Sequence, residues 1–443
     1  MTDHQPVRDL IDLTDSSNNL IFNMTREEAR LRVASGRPDA VRAIEGHFAL
    51  VGRQGTNVRM ARTLAVPLRY FLAKQKDGPL LIVSHRIDGI ATTLGEFGLS
   101  DQFHPSYTRM VPAHHVTEIA LVGCPDPNPT HARYLSPRQA SLPTDLDELG
   151  RLYVGALADE IAKWVRLLPD GEPIGACFSG GIDSGAAFLV TYHTLLRHGI
   201  GPSRLKAFTL DVDGDGQDLT QARSFLDALG LGLFLEPIEV PRDTIDFRET
   251  VRVVEDYKPL DVQAATMMLA LCKGIRRRYP NWRHLIDGDG GDENLKDYPI
   301  HENPELTIRS VLNNRLLYHE GWGVDAVKHS LTYSGGLSRG CTRGFAPSNT
   351  LGFRCFSPFM ALNVVDVAEA IPFIDLTGWT EERLYALKAE IVSRGVAAVT
   401  GLQMPRFEKR RFQHGAASGR VFAGLFPEGP QAYRRAFQAI YDN

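Results

Sequence analysis

From residue 174 the chain alternates short apolar runs with longer amphipathic ones, divided by polar loops. The runs "IGACF" (174–178), "LKAFTLDV" (205–212), "LFLEPIEV" (233–240) and "HLI" (284–286) have the length and β-branched content of buried strands. Between them, "GAAFLVTYHTLLRHG" (185–199), "LTQARSFLDALG" (219–230) and "LDVQAATMMLALCKGIRRR" (260–278) carry apolar residues at helical spacing. Strand, loop and helix in strict rotation predict an α/β fold with a doubly wound, mainly parallel sheet. In such a sheet the ligand sits at the carboxyl ends of the strands. Beyond about residue 300 the pattern is mostly helical.

The first third reads differently. "HFALVG", "VRMARTLAVPLRYFLA" and "PLLIVS" are short apolar runs broken by Gly, Asn, Asp and Lys, which predicts a small β-rich domain. Five prolines between residues 124 and 143 interrupt helix and central strand alike and read as a connector. "DELGRLYVGALADEIAKWVRLL" then opens the second part as a helix. The expected domains are therefore residues 1–123, a linker at 124–145, and 146–443.

Composition narrows the classes. The net charge of −4 over 443 residues gives no basic field for nucleic acid, and the cluster Arg276–Arg278 reads as a solvated helix end. The five cysteines are scattered without a Cys-x-x-Cys pair, which fits reduced thiols and offers no zinc or iron–sulfur framework. No stretch has the length and apolarity to cross a bilayer, and the start lacks the apolar core of a signal peptide, so a cytoplasmic location is expected.

Three loops carry candidate chemistry. "SGGIDS" (179–184) lies between a strand and a helix. It suits either a serine-capped turn or a phosphate cradle, in which Gly180 and Gly181 admit close approach and Ser179 and Ser184 add hydroxyl donors. Asp183 would repel phosphate and makes sense there as a ligand to a bridging Mg²⁺. The loop is neither a Walker sequence nor a dinucleotide fingerprint. "DGDGGDE" (287–293) packs four carboxylates into seven residues, which suits a solvated acidic loop or a cation site. A calcium loop requires glutamate at its twelfth position, here Tyr298. "PRFEKRRFQHG" (405–415) sets Lys409 among arginines and aromatics, either as a solvated basic segment or as a cation facing a leaving phosphate.

Taken together and in this order, the three loops resemble the asparagine synthetase family of PP-loop ATP pyrophosphatases. "AATMML" and "FSPFMALNVVDVAEAIP" are similar to intervening family segments, and the likeness runs over residues 150–420. "EGHFALVG", "ARTLAVPLRYF" and "LLIVSH" look like the later half of the family's Ntn-type glutaminase domain. The catalytic cysteine expected at residue 2 is Thr2 here and the glutamine-binding half is shortened, so the resemblance implies a degenerate, truncated domain that does not hydrolyse glutamine.

The resemblance further implies that Ser179, Gly180, Gly181, Ser184 and Gly288 surround the ATP phosphates and that Phe208, Thr209 and Leu210 border adenine. It makes Asp183 and Asp292 ligands of Mg²⁺, Lys409 a stabiliser of developing charge, and Asp289 the base for an incoming amine. The implied reaction is adenylation of a small-molecule or peptide carboxylate, then amide formation with an amine or ammonia. Intramolecular cyclisation, a nucleotide-binding scaffold and a tRNA-modifying adenylase are the rivals, and a homodimer is left open. Two departures stand out. "NLKDYP" replaces the family's Gly-Gly-Tyr turn after the second loop, and "LYALKAE" only partly echoes a Lys-x-x-Leu-Arg motif, with Leu384 in the lysine slot and Lys388 in the arginine slot.

Overall fold

The apolar runs of the first third pair into two small sheets. In the computed structural model, described for residues 9–76, 78–122, 128–214, 216–297, 300–302, 306–320, 341–407 and 415–441, the chain divides between Ser136 and Pro137 into two compact units. The first unit holds a sheet ordered Leu10–Asp12, Gly78–Ser84, Arg69–Gln75, Arg109–Met110, and another ordered Thr130–Arg133, His115–Ala120, Asn57–Arg62, Ala49–Gln54. Alternation along Arg69–Gln75 and Gly78–Ser84 turns Phe71, Ala73, Leu80 and Ile82 to one face, where Ile90 and Leu94 of the helix Ile87–Glu96 cover them. The helix Arg26–Ala34, opened by a Thr25–Glu28 capping box, lies on the other sheet, where Gly52 leaves room for the backbone of Ala34. Within the proline-rich passage, Thr130–Arg133 forms an edge strand, the one sheet position that tolerates neighbouring prolines. This unit thus reaches beyond residue 123.

In the second unit five parallel strands form one sheet: β1 (Ile174–Cys177), β2 (Leu205–Val212), β3 (Leu235–Val240), β4 (His284–Ile286) and β5 (Arg354–Phe356). Their spatial order is β3-β2-β1-β4-β5. Helices α1 (Leu146–Leu167), α2 (Ile182–Arg197), α3 (Gln217–Asp227), α4 (Pro259–Arg278), the short α5 (Gly291–Asn294) and α6 (Glu381–Thr400) surround it. Ile174, Ala176, Ala207, Phe208, Leu210, Leu285, Ile286 and Phe356 are all buried, as strands covered on both faces require. The three-residue β5 extends the predicted sheet by one strand. The strand order reverses between β1 and β4, which opens a crevice at their carboxyl ends. The loops leaving those two strands are "SGGIDS" and "DGDGGDE".

Helix α6 docks along α1 through glycines. A side chain at Gly150 would come within 2.7 Å of the Gly395 backbone nitrogen, and one at Gly395 would strike the Gly150 carbonyl. The crossing is therefore backbone to backbone, and it fixes where the buried face of α6 points. Among the described residues no helix is long and apolar enough to cross a membrane.

Candidate active site

The first loop closes on its own serines. The backbone N–H of Ser179 donates to Ser184 Oγ (3.3 Å), the Gly181 N–H donates to Ser179 Oγ (3.3 Å), and the two hydroxyls lie 3.2 Å apart. Gly180 has φ +72°, and a Cβ there would come within 2.9 Å of the Ala222 nitrogen at α3, so glycine is required twice over. Gln221 Nε2 donates to the Ser179 carbonyl (3.2 Å) and ties α3 to the loop. Helix α2 starts at Ile182, earlier than the apolar periodicity suggests, so Asp183 and Ser184 fall in its first turn. The positive end of a 16-residue helix faces the crevice.

The second loop lies against the first. A side chain on Gly288 would come within 2.9 Å of Asp183 Cβ and of the Ser184 nitrogen, and one on Gly291 would overlap the Asp183 carboxylate. Gly290, at φ +99°, turns the chain into α5. Asn294 anchors the far end, donating to Tyr153 Oη (3.1 Å) and to the Phe359 carbonyl (2.8 Å), with His319 Nε2 2.9 Å from its Oδ1. The contact between the loops thus requires glycine at 288 and 291.

Where the loops touch, the side chains converge on a lysine that the sequence reading assigned no function. Lys388, on the buried face of α6, donates to Asp183 Oδ2 (2.5 Å) and to Asp292 Oδ1, and lies 3.5 Å from Asp297 Oδ2. Its side chain is 5% exposed. Burial pulls the ammonium pKa down, but the carboxylates of Asp183, Asp292 and Asp297 outweigh it and hold the group well above the usual lysine value. One signal for it was present: Lys388 is a lone charge on the stripe Leu384, Leu387, Ile391, Val392, all fully buried.

The turn "NLKDYP" belongs to the same construction. Lys296 holds φ +56°, a region that glycine enters freely and other residues seldom do. Its ammonium is buried beside Glu369 (3.3 Å) and over the Phe373 ring, while the next residue, Asp297, turns to Lys388. Glu369 also accepts the Leu316 N–H (2.9 Å).

A second acidic pair lies at the root of the loop. Asp287 Oδ2 accepts from Ser357 Oγ (3.0 Å) and Cys355 Sγ (3.2 Å), and its Oδ1 accepts the Asp289 N–H (3.1 Å). Burial pushes the Asp287 pKa up to about 6, against the pull of those donors. Loss of solvent and the neighbouring Asp287 carboxylate push Asp289 well above the usual range, with Arg343 pulling against them. Gly344 closes over both: a Cβ there would come within 2.7 Å of Asp287 Oδ2 and 2.8 Å of Asp289 Oδ2. Arg343 itself reaches Asp261 (3.1 Å) and Glu293 (3.6 Å). Neither Asp287 nor Arg343 is among the residues expected from the sequence to act in the chemistry.

Other expected site residues are placed as follows. Phe208 is buried, its ring over Gly175 and edge-on to Trp282 at 4.9 Å, and its carbonyl accepts the Phe178 N–H (2.8 Å). Thr209 Oγ1 donates to the Phe178 carbonyl (2.7 Å), so both residues tie β2 to the exit of β1. Leu210 is buried in the same strand. Lys409 lies outside the described residues, as does Cys124.

The residues present fit Mg²⁺. Asp183, Asp292 and Asp297 against Lys388 leave two negative charges on hard oxygen donors beside a helix N-terminus. Among the described residues no three His, Cys, Asp or Glu side chains converge on a metal-sized site. That suits an ion held by one or two carboxylates and completed by phosphate oxygens.

No curated protein matches the chain. Residues 156–332 match the family model described as asparagine synthase. The match begins inside α1, takes in both loops, and ends before β5 and α6. With both walls of the crevice inside it, the matched segment is similar to an asparagine synthase domain, which supports ATP-dependent carbon–nitrogen ligation in general.

Proposed function

We propose that the chain activates a carboxylate as its acyl-adenylate and then joins it to an amine, without hydrolysing glutamine. The observation that supports this reading is the contact of the two loops at the switch point, where Asp183 of the first and Asp292 of the second meet on Lys388. ATP is a co-substrate here. Its β- and γ-phosphates fit the Ser179–Ser184 loop at the start of α2, and the β2 segment Phe208–Leu210 borders the adenine side. Asp183 and Asp292 would hold Mg²⁺, which when bound screens phosphate charge.

A carboxylate oxygen forms a bond to the α-phosphorus while the bond to pyrophosphate breaks. The amine nitrogen then attacks the acyl carbon and AMP departs with the carboxylate oxygen. One proton leaves the amine, and the reading assigns it to Asp289, made more basic by burial and by Asp287. The acidic pair also draws an amine that arrives as ammonium. Lys409 is assigned the charge developing on the acyl-phosphate oxygens.

ATP–pyrophosphate exchange with pooled carboxylates tests the first half, and AMP release with ammonium, with added amines or with neither tests the second. AMP formation without any added amine would point to cyclisation. Asp289→Asn is expected to keep exchange and to slow amide formation by about 10²–10⁴-fold. Equal loss of both steps would overturn the assignment of Asp289.

A further inference from the structure

We infer that Lys388 is a built-in counter-ion: it positions Asp183 and Asp292 before nucleotide binds and does the work of a second metal ion. The inference rests on the nucleotide–Mg²⁺ reading of the crevice and adds a residue to it. Three carboxylates reach the ammonium from three different places. Asp183 comes from the first turn of α2, Asp292 from α5, and Asp297 from the turn that follows. Brought together without a cation, they would repel one another, and the two loops would part.

The surroundings are built to hold the lysine still. Helix α6 is fixed by the Gly150–Gly395 crossing, and Lys388 lies two turns from Gly395 on that buried face. The turn that delivers Asp297 is held in turn by the buried Lys296–Glu369 pair, with Lys296 in a left-handed conformation. Adjacent residues 296 and 297 therefore feed two separate buried ion pairs. One ammonium against three carboxylates leaves a charge that one divalent ion neutralises, whereas the same carboxylates without the lysine would need more.

The test follows thermal unfolding of the full chain in metal-free buffer and through a Mg²⁺ titration, with no nucleotide. Wild type is expected to shift little. Lys388→Met is expected to melt several degrees lower and to recover with millimolar Mg²⁺, because an ion that binds the native state stabilises it by mass action. Lys388→Met combined with Asp297→Asn is expected to recover part of the loss without metal, and Lys388→Arg most of it. A Lys388→Met loss indifferent to both Mg²⁺ and Asp297→Asn, or no loss at all, would overturn the inference.

Should Lys388→Met not fold, Asp297→Asn alone still decides. With the lysine kept and one carboxylate removed, half-maximal ATP binding should require about five-fold more Mg²⁺, and an unchanged requirement overturns the proposal. Exchange activity is scored separately. A chain that exchanges no pyrophosphate yet shows the Mg²⁺ rescue keeps the counter-ion and loses the ligase reading, and the converse result does the opposite.

Discussion

Each unit buries a cation, and the two are used in opposite ways. In the first unit Arg62 is fully buried and donates to the main-chain carbonyls of Val111 (2.5 Å), Thr63 (3.2 Å) and Val66 (3.4 Å). Its own carbonyl accepts from Tyr134 Oη (2.6 Å). Arg69 similarly donates to the His85 carbonyl (2.6 Å). These guanidinium groups fasten loops to a sheet. In the second unit Lys388 gathers carboxylates that belong to separate loops and face a crevice. A cation bonded to backbone carbonyls satisfies local main-chain acceptors and has one job, to keep the fold. A cation bonded to side-chain carboxylates holds groups that can also bind something else.

The sharpest way to break this comparison is Arg62→Met, which strands three buried carbonyls. It should lower stability by about 3–5 kcal/mol, measured by chemical denaturation, while pyrophosphate exchange per folded molecule stays unchanged. A folded Arg62→Met protein with no exchange would give the first unit a part in the chemistry.

A second test sharpens the other side. Asp287 has its pKa raised from 3.8 to about 6 in the native state, so the native chain binds this proton more tightly than the unfolded chain. Stability from this group is therefore present in acid and lost as pH rises from about 4 to about 6, by about 3 kcal/mol. Asp287→Asn should gain on wild type over that window and hold the gain at neutral pH. A difference between the two proteins that stays flat with pH would show that burial does not raise the Asp287 pKa.

The smallest effect is expected from Gly395→Ala. The added methyl meets the Gly150 backbone and should lower stability by about 1–3 kcal/mol. Because the displaced helix carries Lys388, the Mg²⁺ dependence of ATP binding should move with it. An unchanged dependence would mean that the helix crossing does not set the position of the lysine.

What the sequence revealed follows from how local each feature is. The glycine–serine loop at 179–184 was legible because the positive φ at Gly180 and the serine hydrogen bonds act within a few residues of the chain, although the close approach to Ala222 does not. The parallel sheet was legible for a similar reason, since burial on both faces writes apolar runs directly into the strands. Strand β5 was not, because Arg354–Phe356 opens on an exposed arginine at the sheet edge and lacks the apolar run that marks β4. Nor was the edge strand Thr130–Arg133, whose prolines mark its ends rather than its absence. The meeting of Lys388 with Asp183 spans 205 positions, and no pattern along the chain encodes a partner at that distance. Lys296 is the mirror case: a turn that wants glycine is held by an ion pair formed 73 positions away.

That separation bears on how the molecule comes to be made. A chain emerging from synthesis presents "SGGIDS" and then "DGDGGDE" long before α6 exists to join them. Until α6 docks, the carboxylates of the two loops lack the ammonium that joins them, so an incomplete chain has both loops and no closed crevice. The ability to split ATP would then be the final product of folding, and a partly folded chain would not waste ATP.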